Sequence, residues 1–489
     1  MAWTLPPGVQ VRSERHFGDR LLRCFAERPR SLYQAFLDGC RARPDAEALV
    51  CGSDRLTYSA LEARAARVAA GLAARGVRAG DRVGMRLGNN VEFAATLLGI
   101  LRLGAIAVPI GMRLKEPEVA YIIEQCAATL LVEDGTVEAA GEPPPLPTTS
   151  EEDTAIILYT SGTTGRPKGA MLTHFNVAHS LLHFRYCFGL GPADRAMLAV
   201  PASHVTGIVA ILLTIWSAQG CAVVMPEFKA RDYLELAARE RITYTILVPA
   251  MYNLCLLQPD FGRHDLSAWR VGGYGGAPMP EATIAALAQK LPGLGLHNAY
   301  GATETTSPAT IMPAERTADR PDSVGWPVPC ADIRVVEGEL WIRGPMVVPG
   351  YWDNPAATAE AFSDGYWRSG DVGSMDEEGF VRVFDRLKDM INRGGYKVFS
   401  VEVENVLSHH PAVLESAIIG KPCPVLGERV HAFVSLKQPA DEAELKRFCA
   451  AQLADYKVPE SFTLMQEPLP RNANGKLLKR ELRTRKDFA

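Results

Sequence analysis

The sequence lacks the marks of several protein classes. Its ten cysteines include no Cys-x-x-Cys pair and no grouped Cys/His spacing, so neither a zinc site nor a disulfide scaffold is predicted. Cys126, Cys221, Cys255 and Cys449 are instead predicted to be reduced thiols in the core. Residues Met1 to Arg20 contain no apolar stretch of the kind found in secretory signals, so a cytoplasmic location is expected.

Long uncharged runs are scarce. Val205 to Met225 carries no charge and is long enough to span a bilayer. However, Ala218-Gln219-Gly220 divides it into an apolar helix, Ile208–Trp216, and a short strand, Cys221–Met225. The segment is therefore predicted to be a buried core pair, and no transmembrane segment is expected.

The sequence also lacks a strong excess of one charge. Its 52 basic and 56 acidic residues give a net charge of -4, which argues against nucleic acid as the main partner. From Arg386 onward, however, 17 basic residues stand against 13 acidic ones. Either this C-terminal part handles an anion, or the charges are uneven by chance on a solvated surface.

The length of 489 residues predicts two to four domains. A capping box at Ser59 and Glu62 predicts a helix start, followed by a strand at Asp81–Met85, a helix at Val91–Leu103 and a strand at Ala105–Ile110. This order predicts parallel βαβ units.

The second half has a different pattern. Trp367–Met375 and Phe380–Phe384 are predicted to pair as antiparallel strands. From Asp385, a compact α+β unit of about 100 residues is predicted, with Ser400 capping one of its helices.

The segment with the most chemical character is Tyr159 to Gly169. Three glycines allow its backbone to fold tightly, four hydroxyl side chains offer hydrogen bonds, and Lys168 adds a cation. Together they could cradle a polyphosphate. The segment differs from a Walker A loop because Pro167-Lys168-Gly169 replaces Gly-Lys-Ser/Thr. A simple flexible loop is the alternative interpretation.

This segment resembles the phosphate-binding signature of the adenylate-forming superfamily, which includes acyl-CoA synthetases, the adenylation domains of peptide synthetases and firefly luciferase. Four more segments resemble the family's adenine and magnesium, ribose, hinge and CoA-tunnel, and catalytic-lysine motifs: Asn298–Thr305, Tyr366–Asp371, Asp385–Gly395 and Pro470–Lys476. Five motifs in the family's order are far more specific than any one of them.

The resemblance implies an α/β fold in which a large N-terminal domain of mixed layers, with a β-barrel-like part, is followed by a small mobile α+β domain. The domains would cover residues 1–385 and 386–489, with Lys388 at the hinge. It also implies an ATP-dependent acid–CoA ligase that needs Mg²⁺. A carboxylate and MgATP would give acyl-AMP and pyrophosphate, and CoA would then give a thioester and AMP.

The resemblance also implies the site residues. The expected catalytic residues are Lys476, Glu304, Thr303 and His204, and the expected magnesium ligands are Thr160 and Glu304. The expected ATP-binding residues are Thr160, Ser161, Gly162, Thr163, Thr164, Gly165, Lys168, Gly276, Ala277, Pro278, Asn298, Ala299, Tyr300, Gly301, Thr303, Asp371, Arg386 and Lys476. Gly394, Gly395 and Tyr396 are expected to contact CoA, and His204, Val205, Tyr274 and Gly301 to line the acid pocket.

These assignments agree with the chemistry of the residue types. Mg²⁺ prefers a few carboxylates together with phosphate oxygens, which suits Glu304. Asp371, expected in a short turn, could accept hydrogen bonds from the ribose hydroxyls. A carboxylate that attacks the α-phosphate brings two anions together, so a cation such as Lys476 would stabilise the transition state.

The acid itself is less well defined. The expected pocket walls offer no arginine for a second carboxylate and no aspartate for an α-ammonium group, which favours an uncharged apolar acid. A medium- or long-chain fatty acid is preferred, and an aromatic acid of the benzoate or cinnamate type is an alternative. An acyl-AMP ligase that loads a carrier protein and a nucleotide-binding protein without catalysis also stay open, as does a homodimer.

Overall fold

The computed structural model describes residues 3–133, 137–160, 166–471 and 477–485 and has a mixed α/β fold. Two helix-packed sheets account for most of the chain before residue 330, and two further sheets follow. A large N-terminal part and a smaller C-terminal part confirm the predicted fold class. No helix among these residues is long and apolar enough to cross a bilayer.

The first sheet has five strands. From edge to edge they are Leu130–Val132, Arg82–Met85, Ile106–Pro109, Thr154–Thr160 and Lys168–Thr173. Only the last pair is antiparallel. The helices that accompany these strands in the chain are Tyr58–Ala74, Val91–Leu103, Glu116–Gln125 and His174–Phe188. The parallel pairing of Arg82–Met85 with Ile106–Pro109 confirms the βαβ prediction.

Helix Val91–Leu103 has the bounds that the sequence predicted. At its start, the Asn90 side chain accepts a hydrogen bond from the Phe93 amide at 2.8 Å. At its end, Gly104 adopts a φ of 72°, a left-handed conformation that glycine takes at little cost. Local capping at both ends therefore fixes the length of this helix.

The second sheet has nine strands. In spatial order they are Trp326–Pro327, Thr310–Ile311, Gly295–Tyr300, Val271–Tyr274, Tyr244–Leu247, Arg195–Leu198, Cys221–Val224, Glu47–Cys51 and Asp54–Thr57. The inner pairings are parallel, and the strands at both edges pair antiparallel. The helices between these strands include Leu32–Ala42, Ala230–Arg239, Pro249–Leu256 and Glu281–Lys290.

The uncharged segment from Val205 to Met225 is largely buried, as predicted, but most of its helix is of the rare π type. The π-helix Thr206–Leu213 continues into a short α-helix, Thr214–Ser217. Side chains also bond two of its carbonyls: the Thr214 hydroxyl donates to the Val209 oxygen at 2.8 Å, and the Tyr244 hydroxyl donates to the Ala210 oxygen at 2.6 Å.

The third sheet is antiparallel and has five strands: Asp332–Val336, Glu339–Arg343, Phe362–Ser363, Tyr366–Met375 and Val381–Arg386. The last two pair as the sequence predicted, with Asp371 opposite Arg386. Helix Pro355–Ala361 precedes Phe362–Ser363. A separate hairpin, Val11–His16 with Arg20–Phe25, lies near the N-terminus.

The fourth sheet belongs to the C-terminal part. Its strands are Tyr396–Val398, Ile391–Arg393, Gly427–Leu436, Val413–Cys423 and Ser461–Met465, and its helices are Ser400–Ser408, Glu442–Ala450 and Lys479–Arg483. Buried apolar residues from Ile391 to Val458 form a cluster separate from the large core of the N-terminal part. The exact boundary at residues 385 and 386 stays a prediction.

Two predicted helix caps are wrong. Helix Tyr58–Ala74 starts earlier than expected, because the Thr57 side chain, and not Ser59, accepts the capping bond from the Ala60 amide at 3.1 Å. Ser400 is the first residue inside its helix and does not cap it. Its amide donates to the Asp385 carboxylate at 2.6 Å, so a carboxylate from strand Val381–Arg386 of the third sheet takes the capping role.

Candidate active site

Glu304 lies on a 3₁₀ turn, Thr303–Thr305, directly after strand Gly295–Tyr300 of the second sheet. Its side chain is 8% exposed, and its Oε1 accepts a hydrogen bond from the Tyr351 hydroxyl at 2.8 Å. Among the described residues, no donor contacts Oε2. One carboxylate oxygen is therefore fixed and the other is open to a ligand.

Lys168 begins the edge strand of the first sheet, opposite Thr160. Its Nζ lies 5.3 Å from the centroid of the Tyr351 ring and 3.9 Å from the exposed Glu360 carboxylate. The Thr160 hydroxyl donates weakly to the Lys168 carbonyl at 3.4 Å. Thr160 and Lys168 thus flank the start and the end of the predicted phosphate loop.

The loop itself lies outside the described residues. This concerns the predicted contacts of Ser161, Gly162, Thr163, Thr164 and Gly165, which stay predictions.

Asp371 is buried in strand Tyr366–Met375, which corrects the expectation of a short turn. Its two oxygens contact Arg386 Nε at 2.7 Å and the Tyr300 hydroxyl at 2.6 Å. The antiparallel register causes this contact, because it places Asp371 opposite Arg386.

The charges around Asp371 shift the pKa values of its neighbours. Burial is the largest single influence and would lower the pKa of Arg386, but the Asp371 carboxylate and the other nearby acidic groups, Glu304 and Asp389 among them, together raise it. Burial and the same carboxylate raise the pKa of Tyr300, so its hydroxyl stays protonated and donates. The structure therefore brings together the predicted ribose residue, the predicted adenine residue and Arg386.

The predicted adenine walls come from two neighbouring parallel strands, Val271–Tyr274 and Gly295–Tyr300, with Tyr274 opposite Asn298. Two glycines permit close backbone approach: a Cβ on Gly275 would lie 2.4 Å from the Ala299 oxygen, and one on Gly301 would lie 1.5 Å from the Ser307 oxygen. The next three residues along the first wall are exposed, namely Gly276, Ala277 and Pro278.

The predicted acid-pocket residues lie in two settings. His204 is partly buried, with Nδ1 at 3.3 Å from the Thr206 hydroxyl, and Val205 is buried at the start of the π-helix. Tyr274 is fully buried in its strand, and burial raises the pKa of its hydroxyl. Tyr274 thus belongs to the packed core of the second sheet.

The predicted CoA residues form an exposed turn between strands Ile391–Arg393 and Tyr396–Val398. Gly394 and Gly395 have φ values of 59° and 91°, which favour glycine. Tyr396 stacks on Tyr456 with ring centroids 4.6 Å apart. Lys388, the predicted hinge residue, is exposed between strands of the third and fourth sheets.

Lys476 lies outside the described residues, but both sides of its loop are described. Arg471 and Leu477 form an antiparallel bridge, and the Leu478 amide donates to the Pro470 oxygen at 2.8 Å. Residues 471 and 477, on either side of the loop, therefore lie next to each other on the C-terminal part.

Residues 36–352 match the family described as AMP-binding enzyme, and residues 402–476 match its C-terminal domain. The chain belongs to the AMP-binding enzyme family. The two matches fall on the two parts of the molecule that carry the predicted ATP and CoA residues.

Similar proteins agree with this family. The feruloyl-CoA synthase of Amycolatopsis sp is 34% identical over 91% of this chain and 97% of its own length. The long-chain-fatty-acid–CoA ligase FadD13 of Mycobacterium tuberculosis is 33% identical over 88% of this chain and 93% of its own.

Solved structures are similar as well. The o-succinylbenzoate CoA synthetase of Bacillus subtilis, in complex with its acyl-adenylate, superposes with a TM-score of 0.86 at 28% identity, covering 94% of this chain and 99% of that one. The same synthetase is also known with ATP and magnesium. This AMP-binding enzyme is an AMP-forming acyl-CoA ligase that uses ATP, Mg²⁺ and CoA, as the motifs predicted.

Sequence reasoning missed two residues near the site of this AMP-binding enzyme. Tyr351 holds Glu304, although 47 residues separate them. Lys479 follows the predicted catalytic-lysine loop and contacts Glu404 at 2.8 Å and the Ser400 hydroxyl at 2.6 Å. Tyr351 belongs to no periodic pattern, and the charged run that begins at Lys479 does not indicate which residues Lys479 contacts, so the sequence offers no signal for either contact.

Proposed function

We propose that this ligase activates an uncharged apolar carboxylic acid, with a medium- or long-chain fatty acid as the preferred substrate. The observation that carries the proposal is the buried, wholly uncharged π-helix Thr206–Leu213, which starts two residues after His204. Residues 274–277 and 299–312 are proposed as the other walls of the acid pocket. They contain one charged residue, Glu304, and its carboxylate is proposed to bind Mg²⁺. An acid with a second charge would have no partner there.

Glu304 and Thr160 are proposed to hold Mg²⁺. The geometry fits, because Glu304 has one oxygen fixed by Tyr351 and a second that no described donor contacts. When bound, Mg²⁺ would neutralise charge on the polyphosphate and ease the departure of pyrophosphate. Lys168 and Thr303 are proposed to bind phosphate oxygens at the same end of the nucleotide.

The rest of ATP is proposed to lie along the two adenine walls. Tyr300 and residues 276–278 would contact the base, with Asn298, Ala299 and Gly301 lining the backbone of the opposite wall. Asp371 and Arg386 would bind the ribose. Because the Asp371 oxygens already bond Tyr300 and Arg386, any ribose hydroxyl would use their remaining lone pairs.

Lys476 is proposed to lie where the carboxylate meets the α-phosphate. Its positive charge would bind both anions and stabilise the negative charge that builds as the new bond forms. His204 is proposed to stand beside the carboxylate as a gate to the pocket.

The second step is proposed to use the exposed turn of the C-terminal part. Gly394 and Gly395 leave room for the pantetheine arm, and Tyr396 lies next to them. Rotation near Lys388 would exchange Lys476 for this turn at the acyl-adenylate, a domain movement that serves both half-reactions. A cytoplasmic location and a homodimer stay predictions.

An aromatic acid is the second candidate. It is favoured by the similarity to a feruloyl-CoA synthase and to an anthranilate–CoA ligase of known structure, which is 26% identical with a TM-score of 0.86. Loading of a carrier protein is a third arrangement, since a relative 33% identical is a fatty acid–[acyl-carrier-protein] ligase.

A panel of acids tests these candidates. AMP release and thioester formation should be measured with fatty acids of increasing length, with benzoates and cinnamates, and with dicarboxylates. We expect the highest kcat/KM with an apolar monocarboxylate and CoA. A preference for a dicarboxylate, or acyl-AMP that CoA never consumes, would contradict the proposal.

A further inference from the structure

The Tyr351 side chain makes two contacts that no sequence motif indicated. It is 7% exposed and follows the third sheet's strand Glu339–Arg343 in the chain. Its hydroxyl bonds Glu304, and the face of its ring lies 5.3 Å from Lys168 Nζ. One side chain thus contacts the proposed magnesium ligand and the proposed phosphate-binding lysine.

We propose that Tyr351 is a positioning residue that orients the Glu304 carboxylate for Mg²⁺ and keeps Lys168 beside it. The inference rests on the proposed role of Glu304 as a magnesium ligand. Tyr351 itself would touch neither the metal nor the reacting atoms.

The backbone around Tyr351 makes this position rigid. Tyr351 bridges Ala170 of the strand that Lys168 begins, the Met171 amide donates to the Gly350 oxygen at 3.1 Å, and the Trp352 amide donates to the Gly169 oxygen at 2.7 Å. The tyrosine is therefore tied to the lysine's own strand on both sides. Any movement of Tyr351 would therefore change its position relative to both Lys168 and Glu304.

The Glu304 side of the contact is equally constrained. The Val348 amide donates to the Glu304 backbone oxygen at 3.0 Å, so the segment that carries Tyr351 also holds the main chain of the glutamate. Just beyond it, Thr306 has a φ of 51°, which is strained for a β-branched residue, and its hydroxyl donates to the Met346 oxygen at 2.7 Å. One backbone hydrogen bond and two hydrogen bonds from side chains thus join the same two segments.

The chemistry of the hydroxyl suits this role. The phenol O–H of Tyr351 is a hydrogen-bond donor and the Glu304 carboxylate oxygen is an acceptor, so the 2.8 Å contact runs from Tyr351 to Glu304. A donor on Oε1 restricts rotation of the carboxylate and leaves Oε2, which no described donor contacts, for a ligand. Groups that orient a metal ligand in this way contribute about 10- to 100-fold to metal affinity.

The ring has a separate effect. A cation over an aromatic face is attracted to the ring, and the competing Glu360 carboxylate is exposed to solvent and 3.9 Å away, where its attraction is weak. The ring therefore limits where the Lys168 ammonium group can go before phosphate arrives. The two functions of Tyr351 can be separated, because phenylalanine keeps the ring and loses only the hydroxyl.

Calorimetry with a non-hydrolysable ATP analogue tests whether the Tyr351 hydroxyl affects Mg²⁺ binding, and it requires no catalytic turnover. For Tyr351→Phe we expect the free Mg²⁺ concentration that gives half-maximal analogue binding to rise about tenfold, with binding in EDTA unchanged. Tyr33→Phe is the matched control, since it removes a buried hydroxyl that bonds the Glu62 carboxylate at 3.0 Å far from the site. A Mg²⁺ requirement within twofold of the wild type in Tyr351→Phe would overturn the proposal.

Steady-state kinetics give a second measure of the same effect. In pyrophosphate exchange, Tyr351→Phe should raise the KM for Mg²⁺ and leave kcat at saturating Mg²⁺ within twofold. A fall in kcat that saturating Mg²⁺ does not restore would contradict a positioning role.

Two further variants separate the possible failures. Tyr351→Leu removes the ring as well, so we expect analogue binding in EDTA to weaken about two- to fivefold relative to Tyr351→Phe. Equal binding by these two variants would overturn the part of the proposal that concerns Lys168. Glu304→Gln should abolish the Mg²⁺ dependence, and if it does not, the proposed role of Glu304 fails. If Tyr351→Leu does not fold, as judged by circular dichroism, Tyr351→Phe alone decides.

Discussion

The residues proposed to hold ATP and those proposed to guide CoA differ in how the fold supports them. Glu304 and Asp371 are buried, at 8% and 4% exposure, and each accepts a hydrogen bond from a tyrosine. Gly394 and Gly395 are exposed, and Tyr396 is 59% exposed. Apart from Lys476, the proposed nucleotide residues that the structure describes lie in or directly beside several strands of the first three sheets, whereas the proposed CoA residues share one turn of the small part.

This difference corresponds to two tasks. Buried carboxylates that are fixed by neighbours keep their geometry before ATP arrives, which favours a site that must align charges accurately. An exposed turn needs no such support if its task is to leave space for a flexible arm, and it can move with its domain. We therefore expect substitutions to act differently in the two regions.

Replacement of Lys476 is expected to have the largest effect. Lys476 belongs to the small part, yet it is proposed to act in the first half-reaction, the formation of acyl-AMP. Lys476→Ala should lower the rate of adenylation by about 10²- to 10³-fold, since the charge that stabilises the transition state is lost. Pyrophosphate exchange measures this rate, and calorimetry with an ATP analogue should show binding within about threefold of the wild type. Adenylation at the wild-type rate would contradict the mechanism.

Gly301 tests the rigid side of the comparison. In Gly301→Ala, the new Cβ would lie 1.5 Å from the Ser307 oxygen, so the adenine wall must shift. We expect a loss of several kcal/mol in the free energy of unfolding, or loss of ATP-analogue binding if the wall moves instead. Gly293→Ala is the matched control. Gly293 precedes strand Gly295–Tyr300, which Gly301 follows, and a Cβ on Gly293 would have nothing within 4 Å. Equal behaviour of the two variants would show that the wall is more compliant than the structure indicates.

Acid sensitivity gives a smaller and independent test of burial in the large part. His174 is buried, its Nδ1 accepts a bond from the Leu32 amide at 3.2 Å, and burial lowers its pKa from 6.5 to about 4. The unfolded chain therefore binds more protons than the folded one between these values, so stability falls as the pH drops from 6.5 towards 4. Between pH 7 and pH 5 this histidine alone should cost about 2 kcal/mol.

Urea unfolding at the two pH values measures this cost. His174→Gln should lose about 2 kcal/mol less than the wild type on acidification, whereas His409→Gln, at an exposed helix end of the small part, should follow the wild type. The same pH dependence in all three proteins would show that His174 does not contribute.

Local rules predicted much of the fold. Helix Val91–Leu103 was predicted with both ends correct because capping residues within a few positions decide its length. The capping box at Ser59 failed because two hydroxyls competed, and the Ser59 hydroxyl instead donates to the Pro44 oxygen at 2.9 Å. Sequence patterns identify candidates for a cap, but only the path of the chain before the helix selects one.

The site follows the same division. Glu304, Asp371 and Arg386 could be named from motifs, yet their contacts could not. Asp371 was expected in a turn because glycine precedes it, and the strand register that pairs it with Arg386 depends on the whole third sheet. Tyr351 was missed because its contact with Glu304 arises from packing between distant segments.

The division of the two half-reactions between the rigid and the exposed region can be measured directly with Gly395→Ala. A Cβ on Gly395 would have nothing within 4 Å, and the φ of Gly395 is 91°. Gly76→Ala is the control, because Gly76 lies in the large part with a φ of 87° and a Cβ there would also have nothing within 4 Å. In single-turnover experiments, we expect Gly395→Ala to form acyl-AMP at a rate within twofold of the wild type. Transfer to CoA should be about tenfold slower, and Gly76→Ala should keep both rates. Slowing of acyl-AMP formation by the same factor as the transfer, or an unchanged transfer, would contradict the assignment of CoA to the exposed turn.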